Sequence, residues 1–351
     1  MIPVEKLRAV RHIITHQFCG DGIASAMILK QVLPQASVTF MQYETDAQRN
    51  LKPKEGMLFC DFSPHKSRVA EFKDAGAIVL DHHDSQREVV AEFGELGVYA
   101  DLKTQPGVSG AVLALQEVWL PLNKDGYDDG VMCTAPTDSE RQTVQDIARL
   151  AGVRDTWQTK DSDWQRAREQ NEALVFWPVE ELLGLNPNDW AAKLSVGSSL
   201  FDSKLRRAAS RIEGGYTFTT DKGRRVLAFE GLSQASDAAE LAGDKHDLVV
   251  AFGYIVENSK PAVIYSTRSH TDFDCAALAL AHGGGGHRPS AGFRIALDPS
   301  TPQPYELLRR LLARYEAVED QWVQTLDEKR RLKEFKLEGL YDAIAAPLAF
   351  G

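Results

Sequence analysis

The chain is poor in cysteine. Its 351 residues include four, Cys19, Cys60, Cys133 and Cys275. They lie far apart and form no C-x-x-C pair, which argues against a disulfide framework and against a structural zinc site. No apolar run approaches the ~20 residues that a membrane-spanning helix needs. The opening Met1-Ile2-Pro3-Val4-Glu5-Lys6 leads into charged sequence without the apolar core of a signal peptide. A cytoplasmic location, with no membrane partner, is the expectation. Positive charge is also in deficit, since 50 acids against 40 bases leave a net charge of -10. That disfavours a protein that coats long nucleic acid through a general positive field. It leaves room for a small anionic substrate, with bound cations supplying positive charge locally. There is no internal repeat and no low-complexity tract.

What is present reads as two domains, because single domains typically run ~100–200 residues. The first half alternates strand and helix signals. Short apolar runs at 11–16, 37–43, 57–62 and 77–80 read as strands, and 23–30, 67–75, 108–120 and 144–151 read as helices. Continuous apolar strands separated by helices predict an α/β fold with a parallel, Rossmann-like sheet covered on both faces. Residues 123–139 read as a surface loop. Composition shifts near 185–188 and 213–215 place a linker at 196–222, after a first domain at 1–195. A smaller α/β domain is expected at 223–300, with strands near 225–229, 248–252 and 261–266 and a helix at 275–281. Leu307, Leu308, Leu311, Leu312, Tyr315, Val318, Trp322 and Leu326 keep a helical period, so 301–351 reads as an extension carrying one amphipathic helix over about 303–338. Such a helix either packs on the core or forms a homodimer.

Parallel sheets bind ligands at the carboxyl ends of their strands. His16, Asp61 and Asp81 each end a predicted strand and are therefore expected to converge on one sheet edge. Asp81-His82-His83 sets three metal-competent side chains at such an end, where burial without partners is costly. Carboxylate and imidazole suit manganese, zinc or iron, and a solvated turn is the alternative. In His16-Gln17-Phe18-Cys19-Gly20-Asp21-Gly22, Asp21 is either a helix N-cap or a ligand. Asp155, after Arg154, is either an exposed loop acid or part of the same cluster. The run Gly283-Gly284-Gly285-Gly286-His287-Arg288 lets backbone N–H groups converge on an anion. Arg268 and Ser269 follow another strand, and guanidinium suits a phosphate or carboxylate.

These pieces, in this order, resemble the DHH phosphoesterases with their DHH-associated C-terminal domain, over about residues 10–295. Asp81-His82-His83 is the eponymous motif. Asp61 is similar to the second motif and Asp155 to the fourth. Gly284, Gly285, Gly286 and His287, with Arg268 and Ser269, resemble the signature of the associated domain. The resemblance implies two divalent metal ions, usually Mn2+ with Mg2+ or others as alternatives. It implies His16, Asp21, Asp61, His82 and Asp155 as ligands, with Asp61 as the bridge. Asp81 and His83 would support the cluster and the scissile phosphate. Arg268, Ser269 and the glycine run would hold substrate, in a cleft between the domains. One departure stands out: many members carry Asp-x-Asp in the first motif, and here Cys19 occupies the first of those positions. His-x-x-Cys-x-Asp-Gly is a variant form, with Cys19 a soft ligand or, the favoured reading, a spacer.

Three functions follow as expectations. The first is hydrolysis of a short oligonucleotide or small phosphorylated nucleotide, as in the nanoRNase-like members. The second is a RecJ-like single-strand exonuclease, which needs an aromatic track. Trp157, Trp164, Phe176 and Trp177 are its candidates, while Lys329-Arg330-Arg331-Leu332-Lys333 reads as a solvated helix face. The third is a nucleotide-binding protein that has lost its metals.

Overall fold

The computed structural model describes residues 2–334, apart from 18, 44, 125–135, 258, 259 and 299. The chain divides into two compact units, Met1–Asp202 and Ser203–Gly351. Each is taken by itself.

The first unit is built on five strands: β1 His12–His16, β2 Ser37–Met41, β3 Met57–Cys60, β4 Ile78–Asp81 and β5 Gly97–Tyr99. Their order is β2-β1-β3-β4-β5, and all pairings are parallel. Alternate side chains feed opposite faces. Ile13, Leu58, Ile78 and Leu80 enter one core. Ile14, Phe59 and Val79 enter another. This is why the strands read as unbroken apolar runs. Helix α1, Gly20–Val32, follows β1 and is buried along nearly its whole length. It is packed by α3, which begins at Gly110–Leu113 and continues through a π-helical stretch Ala114–Trp119, by α4 Asp138–Asp155 and by α5 Trp164–Phe176. The short α2, Val69–Asp74, links β3 to β4. α4 is started by a full capping box, in which Thr137 and Glu140 satisfy each other's backbone N–H groups. The sheet order reverses between β1 and β3, and that switch point carries the site described below.

Part of the predicted surface loop lies outside the described residues, as does Cys133. Its ends are helical, because Asp138 already belongs to α4. Strand β5 was not anticipated; it has three half-buried residues and too little apolar signal to stand out.

The second unit opens with the end of α6, Gly197–Glu213; its strands are β6 Tyr216–Thr219, β7 Arg225–Glu230, β8 Leu248–Glu257, β9 Lys260–Arg268, β10 Gly285–His287 and β11 Ser290–Ala296.

 Their order is β10-β11-β9-β8-β7-β6, antiparallel except between β7 and β8. One face, with Val226, Ala228, Val250, Val263 and Tyr265, packs on α8 Cys275–Ala281 and α9 Pro304–Ala317. The other, with Leu227, Phe229, Val249 and Ala251, packs on the alanine-rich α7 Ala235–Ala242.

Two expectations change here. The predicted linker is mostly ordered structure, since α6 and β6 fill it; the glycines at 214 and 215 end the helix rather than loosen the chain. Of the two alternatives for the tail, packing on the core is the one seen, because Leu308, Leu311, Leu312 and Tyr315 complete the core of the second unit. The tail helix also breaks at Val318, and α10 Glu319–Glu334 starts anew. On either side of the break, the buried Glu316 and Glu319 turn inward to Arg224, at 3.0 and 2.7 Å. The end of the predicted helix, from 335, and the side chains of the basic run at 329–333 lie outside what is described. No helix among the described residues is long and apolar enough to cross a membrane.

Candidate metal centre

The sheet edge collects the residues that the strand ends pointed to. Asp61 follows β3 in the left-handed region, with φ 56°, a conformation that costs a non-glycine residue of the order of 1–3 kcal/mol. Its backbone N–H still donates to Leu80 O at 3.0 Å, so the strained turn is held by β4. His16 Nδ1 lies 3.9 Å from Asp61 Oδ2. His82 Nε2 lies 3.1 Å from Asp61 Oδ1, 3.3 Å from Asp155 Oδ2 and 3.9 Å from Asp21 Oδ2. Five of the anticipated residues therefore meet around one point, although 139 positions separate the first from the last: His16, Asp21, Asp61, His82 and Asp155.

Asp21 is not a helix cap. Cys19 occupies the N-cap position of α1. The Asp21 carboxylate instead accepts from Ser109 Oγ at 2.5 Å and from the Ala111 N–H at 3.1 Å, both through Oδ1. Asp155 is the last residue of α4, not a loop acid. Its side chain keeps 27 % of its surface but is densely surrounded by protein atoms.

Asp81 has a different place. Its Oδ1 accepts from the N–H groups of His82 and His83, at 2.8 and 3.0 Å, and from His83 Nδ1 at 2.7 Å. Its Oδ2 accepts from Ser63 Oγ at 2.5 Å and Tyr43 Oη at 2.9 Å. Both oxygens thus have hydrogen-bond partners. Burial opposes its ionised form, but the hydrogen bonds from His83 and Ser63 outweigh that and hold its pKa below the usual value.

The centre is short of positive charge. Asp61 is pushed well above the usual carboxylate range, first by burial and then by Asp21, Asp155 and Asp81. Asp155 is raised as well, by burial and by Asp21, against a pull from His82 and His83. Burial and the neighbouring His83 lower His16. Among the buried polar atoms without a hydrogen-bond partner are Asp21 Oδ2, Asp61 Oδ2 and His16 Nδ1. Buried groups are ordinarily paired or bound to a metal, so these orphaned atoms are what a cation would satisfy. Among the described residues, three sets of donor atoms lie close enough to share an ion: His16, Cys19 and Asp61; Asp61, His82 and His83; Asp21, His82 and Asp155. Within each set the atoms are within 4.8 Å of one another. The residues present therefore fit divalent metal.

Several supports carried no sequence signal of their own. Gln42 Nε2 donates to Gln17 O at 2.6 Å, which fixes the amide so that Oε1 faces His16 Nε2 at 3.3 Å. That contact suits an Nε2–H and leaves the Nδ1 lone pair for the centre, the usual way an outer partner sets a ligand's tautomer. Gly110 lets α3 reach the site: a Cβ there would fall 2.3 Å from Asp61 Cβ and 2.8 Å from Asp21 Oδ2. Ser-Gly ahead of an apolar run was the available clue. A cavity of about 360 Å³ opens beside Cys19, Asp21 and Asp155, and Arg154, Gln170 and Asn171 help to line it.

The aromatic candidates divide. Trp164 packs in a small core, and Trp177 donates from its ring to Lys193 O at 2.9 Å. Trp157 and Phe176 are about half exposed, at 51 and 55 %. Arg154 lies over the Trp157 ring at 4.7 Å.

The residues anticipated as substrate contacts belong to the second unit. Arg268 pairs with Ser290, and the Ser269 N–H donates to Pro289 O at 3.0 Å. The glycine run corrects the expectation of a loop of converging N–H groups. Gly285, Gly286 and His287 form edge strand β10, paired with β11. Glycine is needed there for close approach: a Cβ on Gly284 would meet Gly292 O at 2.2 Å, and Gly286 has φ 141°. Arg268 is half-buried and donates to Ser236 Oγ, Ser266 Oγ and Thr267 O. Ser269 Oγ is engaged in its own turn, with Asp247 O and Thr271. The His287 side chain lies outside what is described.

No family model matches the sequence, and no curated protein matches it. Solved structures do. The exonuclease RecJ bound to manganese aligns over 90 % of this chain and 94 % of its own, at 16 % identity and a TM-score of 0.52. A DHH domain described as a member of the s1p family of ribosomal proteins aligns over 88 % of this chain and 87 % of its own, at 12 % identity and a TM-score of 0.53. The pGpG-specific phosphodiesterase PggH from Vibrio cholerae aligns over 86 % and 99 %, at 12 % identity and a TM-score of 0.43, too low to argue from. The chain has the DHH fold.

Proposed function

We propose that this chain is a phosphoesterase that uses two divalent metal ions, Mn2+ by preference, to hydrolyse short oligonucleotides or small nucleotides. The observation that carries this reading is the cluster of buried carboxylates and imidazoles whose inward atoms have no partner. His16, Asp21, Asp61, His82 and Asp155 would hold the ions, with Asp61, which belongs to two of the donor sets, between them. When bound, such ions lower the pKa of water and neutralise charge developing at phosphorus. His83, aligned through Nδ1 by Asp81, presents its other ring nitrogen for a proton or a phosphate oxygen. Arg268, in the second unit, offers a cation suited to a phosphate group.

The short-substrate reading rests on size and charge. A cavity of about 360 Å³ is near the lower end of small-ligand sites, ~300–1,000 Å³. The net charge of -10 offers a long strand no general attraction. A second reading, single-strand exonuclease, draws on the exposed Trp157 stacked with Arg154, since bases stack on such rings. A manganese-dependent assay on labelled two-, five- and twenty-nucleotide RNA and DNA separates them. Faster cleavage of the two- and five-mers supports the first reading; preference for the twenty-mer supports the second.

A further inference from the structure

The two ends of the metal cluster are not furnished alike. Asp21, Asp61, His82 and Asp155 give one end three carboxylates and an imidazole. The other end has His16 and the second oxygen of Asp61, and the third donor atom gathered with them is Cys19 Sγ. A reactive metal usually keeps about three protein ligands and one open position. His16 and Asp61 alone fall short of that count.

Cys19 has no evident other task. It sits at the N-cap of α1, where Ser, Thr, Asp or Asn would accept a hydrogen bond from the first turn, yet its side chain caps nothing. Its hydrogen-bond contact is a long one, 3.8 Å to Asp155 Oδ1. A spacer would leave the sulfur free to turn away, whereas here it turns toward the carboxylates. Independently of the cysteine, the Asp61 side chain is 1 % exposed, and its Oδ2 and His16 Nδ1 are both buried without partners. Cys19 shares a donor set with these two residues.

We propose that Cys19 is a thiolate ligand of one metal ion, together with His16 and Asp61, and that this position therefore selects a softer cation such as Zn2+, Fe2+ or Co2+. The inference rests on the two-metal reading above and, at this one position, replaces its preference for Mn2+. Thiolate favours these ions over Mn2+ and Mg2+, whereas carboxylate and imidazole accept either group. The thiol loses its proton to solvent as the ion binds. The centre would then be mixed in character, with one soft position and one carboxylate-rich position.

The test is cobalt titration of the metal-free full-length protein, followed by absorbance. The expected result is two equivalents bound, with visible ligand-field bands and a near-ultraviolet thiolate-to-cobalt charge-transfer band. Cys19→Ser should lose the charge-transfer band and keep the ligand-field bands of the second ion. Two equivalents without a charge-transfer band, or a band that persists in Cys19→Ser, would overturn the assignment while leaving the two-metal reading intact. Failure to bind cobalt at all would overturn both. Should Cys19→Ser fold poorly by circular dichroism, the wild-type spectrum together with Cys60→Ser decides the matter: a band lost in Cys60→Ser overturns the proposal, and a band kept there supports it.

Discussion

His83 and Asp81 form a fixed pair: His83 Nδ1 lies 2.7 Å from Asp81 Oδ1, and every other acceptor direction of that carboxylate in view is taken by Ser63, Tyr43 and the backbone of residues 82 and 83. The pair separates alignment from metal binding. Asp81→Asn keeps the shape but offers the imidazole an amide, which upsets the choice of tautomer. The expected outcome is a fall in kcat of about 10–100-fold, with metal content retained. Kinetics combined with elemental analysis checks it; loss of one ion in the variant would make Asp81 a ligand instead.

Acid should act on the centre in a defined sense. Asp61 and Asp155 have folded pKa values raised above their unfolded value. In the metal-free protein they bind protons more tightly when folded, so they stabilise it below their folded pKa and that stability is lost as pH rises through it. His16, lowered by burial, works the other way, favouring the fold above its unfolded pKa and opposing it below. Metal binding needs the carboxylates ionised, so Mn2+ competes with protons. The thermal shift produced by Mn2+ should therefore shrink from neutral to mildly acidic pH. At a concentration of about 100 Kd the gain at neutral pH is about 2.7 kcal/mol. Differential scanning fluorimetry across pH reads this, and a shift that grows in acid would contradict it.

Gly110→Ala should be felt at the centre and not only in α3. The new Cβ would meet Asp61 Cβ and Asp21 Oδ2, at 2.3 and 2.8 Å, and also the backbone Cα of Asp61 at 2.8 Å, which cannot swing aside. A loss of about 1–3 kcal/mol is expected from the overpacking. Weakened metal binding should accompany it, measured by calorimetric titration. A variant that melts lower yet binds metal normally would show that the helix had simply moved away.

Arg224→Ala tests whether the tail helices belong to the second unit. Glu316 and Glu319, with side chains 3 and 9 % exposed, would lose their guanidinium. Burial opposes the charge on Arg224, and the two glutamates overcome this and raise its pKa. The expected cost is about 1.5–3 kcal/mol, read by denaturant unfolding. No change in stability would count against the tail's packing on the second unit's core.

The legible part of this protein was the part with a short period. Apolar runs gave β1, β3 and β4, and the ends of those runs placed His16, Asp61 and Asp81 on one edge. Asp155 was marked by resemblance alone, because its role depends on where α4 ends after 18 residues of helix. Gly110, Gln42, Ser63 and Tyr43 act through packing between distant elements, and no local spacing reveals that. The four glycines were misleading for a physical reason. Glycine serves close strand approach as readily as an anion-binding turn, and only the pairing of β10 with β11 decides between them. The tail showed its apolar stripe but neither its break nor its ion pairs with Arg224, almost a hundred residues earlier.

The most direct measurement is hydrolysis of a labelled dinucleotide by the intact protein and by Asp61→Ala, each with and without Mn2+. The account expects hydrolysis only in the intact protein with metal, lost in the variant together with metal binding. Activity that survives Asp61→Ala, or intact protein that binds Mn2+ and cleaves none of the RNA or DNA lengths offered, would contradict it.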